Sequence, residues 1–190
     1  MGEWTKKRGV MERYDLTAHM YDMRYAEEQK AKFEAALKSL KANNYGKVLD
    51  AGCGTGLLFE HVAPKAEMVV GLEVSRKTLL KAKERARGFR NVHLVMADAD
   101  FMPFRDCAFS TVFAFTLIQN MPDPVKTLEE IGRVVEDSAQ IVVTGLKKIF
   151  SLQAFENLLH DAGLEIVSLE EEGLKCYVAT CLKFSSEVVT

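Results

Sequence analysis

Seven short runs rich in Val, Leu, Ile and Phe punctuate the chain: KVLDA, MVVGLE, VHLVMA, STVFAFT, QIVVTGL, LEIVSLE and CYVATCLKF. Apolar runs of this length bounded by turn residues read as buried strands. Between them apolar residues return at helical spacing, which predicts helices over 57–62, 75–87, 124–136 and 152–162. A further helix precedes the first strand, where Phe33, Ala36, Leu37 and Leu40 fall on one stripe. Strands alternating with helices build a parallel sheet covered on both faces, an α/β fold. Only EEGLK separates the last two strands, too few residues for the crossover that parallel neighbours need, so these two are expected to pair antiparallel.

With 190 residues, 48% of them apolar, the chain is sized for one domain that buries its core without crosslinks. No repeat, low-complexity stretch or linker interrupts it, so a single domain is expected over 1–190, with a helical segment over 1–45 leading into a core over 46–190. Cys53, Cys107, Cys176 and Cys181 form no CxxC pair, and the four histidines show no HxxxH spacing, which predicts reduced thiols and no metal. The opening MGEWTKKRGV lacks the apolar stretch of a signal peptide, and TVFAFTLI is far shorter than the ~20 residues of a membrane helix. A soluble, cytoplasmic protein is the expectation. A net charge of −2 excludes a global electrostatic footprint for nucleic acid. Locally, residues 76–90 carry seven basic side chains against Glu84, either a solvated face or a set of phosphate contacts.

The chemistry gathers after the first strand, in VLDAGCGTGLL. Gly52, Gly54 and Gly56 alternate with Cys53 and Thr55 between a strand and a helix, at the carboxyl end of the sheet where open α/β folds bind ligands. A dinucleotide fingerprint spaces its glycines as GxGxxG, whereas here the third follows the second after one residue. Asp50 at the strand end would repel a pyrophosphate and attract an ammonium group. The pattern therefore points to a nucleoside-like ligand bearing an amino acid in place of phosphates, resting partly against the following helix N-terminus.

Glu73, followed by Val74, ends the next strand 21 positions after Gly52, the spacing of an acid that accepts hydrogen bonds from both ribose hydroxyls. Ser75 supplies the cap of the following helix, which leaves Glu73 available for that role. After the third strand, Asp98 can accept from an adenine amine while the Ala99 N–H donates to a ring nitrogen. Phe101, Met102 and Phe104 either wall the ring or pack in the core.

Taken together, VLDAGCGTG, VVGLEVS, ADADFMPFRDCAFSTVFAFTLIQNMPDPVKTLEEIGRVV and QIVVTG resemble the class I S-adenosylmethionine-dependent methyltransferases, and most the small type 11 group. The resemblance runs from about Val48 to Gly145. It implies a Rossmann-like three-layer sandwich with strand order 3-2-1-4-5-7-6 and strand 7 antiparallel. It also implies S-adenosylmethionine as cofactor, held by Asp50, Gly52, Cys53, Gly54 and Gly56 at the methionine part, Glu73 and Val74 at the ribose, Asp98 and Ala99 at the adenine, and backbone carbonyls near Thr116 and Leu117 at the ammonium. Ser110, where the family usually has Asp, and the missing glycine pair before QIVV depart from the pattern away from these contacts.

Methyl transfer from a sulfonium leans on alignment and exclusion of water, so a catalytic base need not be visible. Gln119 and Asn120, in the FTLIQNMPDP stretch after strand 4, either orient an acceptor or cap the next helix. No Asn-Pro-Pro-aromatic motif marks an amide or base-amine acceptor. Tyr14 and Tyr21 share one face if their segment is helical, and the resemblance implies that such a segment serves as a lid, with Tyr21 closing over the sulfonium through cation–π attraction. The alternative is an amphipathic helix packed by Met20, Met23 and Tyr25. Short loops after strand 5 and in the last hairpin predict an open site, which leans the acceptor towards RNA or protein over a small molecule, or towards a site completed by an activating protein partner. A catalytically silent scaffold and a nicotinamide-dependent dehydrogenase are the competing classes, the latter disfavoured by the glycine spacing.

Overall fold

The first strand, β1 (Lys47–Ala51), alternates Val48 towards one sheet face with Leu49 and Ala51 towards the other, and all three are fully buried. A strand apolar on both sides belongs in the middle of a sheet, and that is where β1 lies. In the computed structural model the backbone is described for residues 3–40 and 43–184, and the side chains for these except 3, 4, 6 and 13–26. The sheet also contains β2 (Met68–Glu73), β3 (Val92–Met96), β4 (Phe109–Ala114), β5 (Val135–Leu146), β6 (Leu164–Glu170) and β7 (Cys176–Lys183). Its order is β3-β2-β1-β4-β5-β7-β6. The neighbours from β3 through β5 run parallel, and β7 is antiparallel to both β5 and β6.

Helices α4 (Pro124–Val134) and α5 (Leu152–Asp161) cover one face, where Leu128, Ile131, Phe155 and Leu159 meet Leu49, Val112 and Ile141. The opposite face is covered by α2 (Phe59–Val62), α3 (Arg76–Ala86) and the end of α1 (Glu3–Ser39). There Phe33, Ala36 and Leu40, the stripe read from the sequence, pack with Val48, Phe113 and Val178. Each fully buried aliphatic or aromatic side chain contributes about 1.5–3 kcal/mol, which fixes the layers.

Most boundaries fall within one or two residues of the sequence reading, and three differences stand out. The helix ahead of β1 extends back to Glu3. The helix after the glycine loop is a single turn, because Pro64 tightens the chain into a 3-10 turn at Ala63–Lys65. Strand β5 begins five residues before QIVV, through the polar stretch 136–138: Val135 pairs with Phe109 across a register shift, and Val135 and Ala139 stay buried while Asp137 and Ser138 face out. No helix among the described residues is long and apolar enough to cross a membrane, and no three His, Cys, Asp or Glu among them gather as metal ligands.

Candidate active site

The loop after β1 is pinned before any ligand arrives. The N–H groups of Gly52 and Cys53 both donate to the Leu72 carbonyl of β2, at 2.8 and 2.9 Å, and the Gly56 N–H donates to the Cys53 carbonyl at 2.9 Å. From α3, Arg85 Nη1 donates to the Thr55 carbonyl at 2.5 Å, so one member of the basic run braces this loop. Two glycines are required for different reasons. At Gly56 (φ +79°) an added Cβ would lie 2.3 Å from the Phe59 ring, so the position is sealed by the core. At Gly54 (φ +55°) a Cβ would meet no protein atom within 4 Å, so its bare backbone faces open space, the arrangement that lets a ligand lie against the chain.

Glu73, at the end of β2, closes the loop from the other side. Its Oε2 accepts from the Gly54 N–H at 3.1 Å and its Oε1 from the Ser75 N–H at 2.7 Å, while the Ser75 hydroxyl caps α3 by accepting from the Thr78 N–H at 3.1 Å. Asp50 is 3% exposed, and among the described residues no cation pairs with it. Burial first, then the nearby Glu73 charge, pushes its carboxyl up to about 8. The Cys53 thiol is driven up by burial and by both carboxylates, which makes it an inert wall.

Beyond β3, Asp98 Oδ1 accepts from the Asp100 N–H at 3.0 Å, the local bond that fixes the turn. Both Asp98 oxygens also accept from Lys7 of α1, at 2.8 and 2.6 Å. Ala99 is buried beside it. The three side chains considered as a ring wall lie elsewhere: Met102 is in the core, Phe104 packs edge-on against Phe109, and Phe101 turns outward, 65% exposed, with Lys126 Nζ 4.4 Å from its ring centre. None of them lines the cleft; Val74, Thr78, Val10 and Met11 do. The turn is held in turn by Arg133 of α4, which pairs with Asp106 and Glu130 and donates to the carbonyls of Phe104 (2.8 Å) and Met102 (3.1 Å).

At the end of β4, Thr116 adopts φ +56°, a left-handed conformation unusual for a β-branched residue and costing about 1–3 kcal/mol. Its N–H donates to the Thr144 hydroxyl at 2.8 Å and its carbonyl accepts from Asn120 Nδ2 at 2.7 Å, so two neighbours hold the strained turn. The Thr116 hydroxyl is buried without a hydrogen-bond partner and lines the cleft with Asn120. Gln119 does not line it; both of its amide atoms are buried away from solvent. Tyr21, with Tyr14, Met20, Met23 and Tyr25, lies outside the described side chains.

One cleft, open to solvent, joins these groups: Asp50, Gly52, Cys53, Gly54, Glu73, Val74, Asp98, Ala99 and Thr116 all line it. Gly56 lies beneath, behind the loop. The sequence reading did not find Lys7, Arg85 or Arg133, since their partners lie 91, 30 and roughly 30 positions away and no local pattern links them.

The strand order is that of the class I fold of S-adenosylmethionine-dependent methyltransferases, and a buried carboxylate and a buried hydroxyl without partners among the described residues, beside a glycine opening onto empty space, fit that cofactor. The methyltransferase domain family matches residues 49–143, half of the chain, and the chain belongs to that family. Among curated relatives it is similar to the malonyl-[acyl-carrier protein] O-methyltransferase of Marinomonas sp. (strain MWYL1), 34% identical over 146 residues covering 75% of this chain and 53% of that protein. It is similar also to the demethylmenaquinone methyltransferase of Staphylococcus carnosus (strain TM300), 32% identical over 120 residues covering 61% of this chain and 49% of that protein. The chain thus spans about half the length of these relatives. A solved SAM-dependent methyltransferase from Aquifex aeolicus shares the fold, with a TM-score of 0.72 and 21% identity over 80% of this chain and 89% of that one.

Proposed function

We propose that this chain transfers a methyl group from S-adenosylmethionine to a small, largely apolar acceptor, either free or presented on a carrier. The observation that carries the acceptor class is the roof of the cleft. Gln29 and Phe33 of α1 line the same cavity as Phe115, Leu117 and Met121, so α1 supplies enclosure that the short loops lack. In this reading the stretch 1–45 acts as a lid on the core at 46–190. A mainly apolar cleft walled on one side by a helix suits a small group better than a polynucleotide. The lean towards RNA or protein finds no support in the relatives, whose names specify a malonyl unit and demethylmenaquinone.

The cofactor supplies an electrophilic methyl group on sulfur. The chain's own residues bind and align: Asp50 takes the ammonium group, Glu73 the ribose hydroxyls, Asp98 and the Ala99 N–H the adenine edge, and Asn120 with Thr116 shapes the acceptor end. Alignment and exclusion of water supply the rate. Four free cysteines suit a reducing cytoplasm.

Incubation with methyl-labelled cofactor and separate pools of acyl-carrier thioesters, demethylated quinones, RNA and protein tests the reading. Label is expected in one of the first two pools. Label confined to RNA or to unmodified polypeptide overturns it.

A further inference from the structure

Lys7 is a lysine buried to 7% exposure at the adenine end of the cleft, on the first turns of α1, far along the helix from the Phe33–Leu40 stripe that packs in the core. Its ammonium group bonds both oxygens of Asp98 and pairs with Asp100 Oδ2 at 2.5 Å. Asp100 is anchored from behind, its Oδ1 accepting from the Thr127 hydroxyl of α4. The ammonium group therefore sits between two carboxylates, and both oxygens of Asp98 are taken. Val10 and Met11, the next turn of α1, form part of the cleft wall.

The Asp98 carboxylate is the group assigned above to the adenine amine, so two donors contend for one acceptor. We infer that Lys7 is a latch: it competes with the adenine amine for Asp98, and the cofactor enters by shifting Lys7 onto Asp100 alone, which loosens the first turns of α1 over the site. This deepens the cofactor assignment and rests on it. Asp100 makes the exchange feasible, since the lysine keeps one ion pair throughout and no buried charge is left alone. Its pairing with two carboxylates also holds the Lys7 pKa above the ordinary lysine value despite burial, so the latch is charged at neutral pH.

The test is titration of the full chain and of Lys7→Met and Lys7→Arg with S-adenosylhomocysteine, by calorimetry and by stopped-flow association, with amide exchange over residues 3–12 measured in the same samples. Lys7→Met is expected to bind about tenfold more tightly and associate faster, Lys7→Arg to behave as the unmodified chain, and the ligand to accelerate exchange over 3–12 in the unmodified chain. Equal or weaker binding by Lys7→Met, or exchange over 3–12 slowed by the ligand, overturns the latch while leaving the cofactor assignment standing. Absence of binding to all three proteins overturns the assignment and the latch together.

Discussion

Asp50 is the penultimate residue of β1 and Glu73 the last of its neighbour β2, and burial together with the Glu73 charge pushes the Asp50 carboxyl up to about 8. The ligand-free protein therefore keeps a proton on Asp50 at neutral pH. An ammonium group arriving beside it reverses that preference. Binding of S-adenosylhomocysteine at pH 7 is expected to release close to one proton, read as a dependence of the calorimetric heat on the ionisation enthalpy of the buffer. Asp50→Asn should abolish the dependence, and a heat that does not vary with buffer in the unmodified chain would count against the assignment.

The same shift makes stability depend on pH. The folded carboxyl holds its proton to a higher pH than the unfolded one, so its contribution is complete below the unfolded pKa and is lost as pH rises through about 8. Denaturant melts of the ligand-free chain should show stability falling between pH 5 and 8 by at most about 1.4 kcal/mol per pH unit from this group. Asp50→Asn is expected to flatten the slope.

Glycines two positions apart should fail in opposite ways. Gly56→Ala drives a methyl group into the Phe59 ring and is expected to lower stability by about 2–4 kcal/mol. Gly54→Ala meets no protein atom, so its stability cost is limited to left-handed strain of about 1 kcal/mol, while its affinity for S-adenosylhomocysteine should drop at least tenfold. Thermal melts and calorimetry on both variants separate the two effects.

Glu73→Gln keeps an acceptor for one of the two loop N–H groups and loses the charge. Affinity for S-adenosylhomocysteine is expected to fall by roughly 10- to 100-fold, as hydrogen bonds to a charged group contribute about 1.5–3 kcal/mol. Adenine itself should bind nearly as before, and a loss that extends to adenine would move Glu73 from ligand contact to loop support.

Arg133 ties the loop after β3 to α4 through two carbonyls and the Asp106 carboxylate, its guanidinium braced by Glu130 of α4 itself. Arg133→Met removes that tie far from the cleft. It should lower the melting temperature by several degrees, consistent with a loss of about 1–3 kcal/mol, and raise amide exchange over 101–106. Unchanged exchange there would show that the turn holds itself.

Much of the sheet is legible in the sequence because its strands are short apolar runs: the inner strands KVLDA and MVVGLE, apolar on both faces, and the edge strand LEIVSLE match their observed bounds residue for residue. The last hairpin is legible from its short turn alone. Strand β5 is less so, because Glu136, Asp137 and Ser138 mask pairing that backbone hydrogen bonds make regardless of side-chain polarity. In the cleft, the carboxylates can be read because each stands at a strand end, where topology fixes its position. Phe101 shows the limit: a large aromatic beside the site is pulled outward over Lys126, a partner 25 positions on, and nothing in ADADFMPF indicates it. Lys7 escapes for the same reason, since a long-range ion pair leaves no periodic trace.

Because β7 runs against its neighbours, the turn at 171–175 emerges at the ligand end of the sheet, where Lys147 bonds Glu171 and Lys175 pairs with Glu28 of α1. No residue of that turn lines the cleft. Its length is thus a variable that descent or design can change independently: a longer insert would build a new substrate wall, and one donor-binding half would serve many chemistries with different visitors.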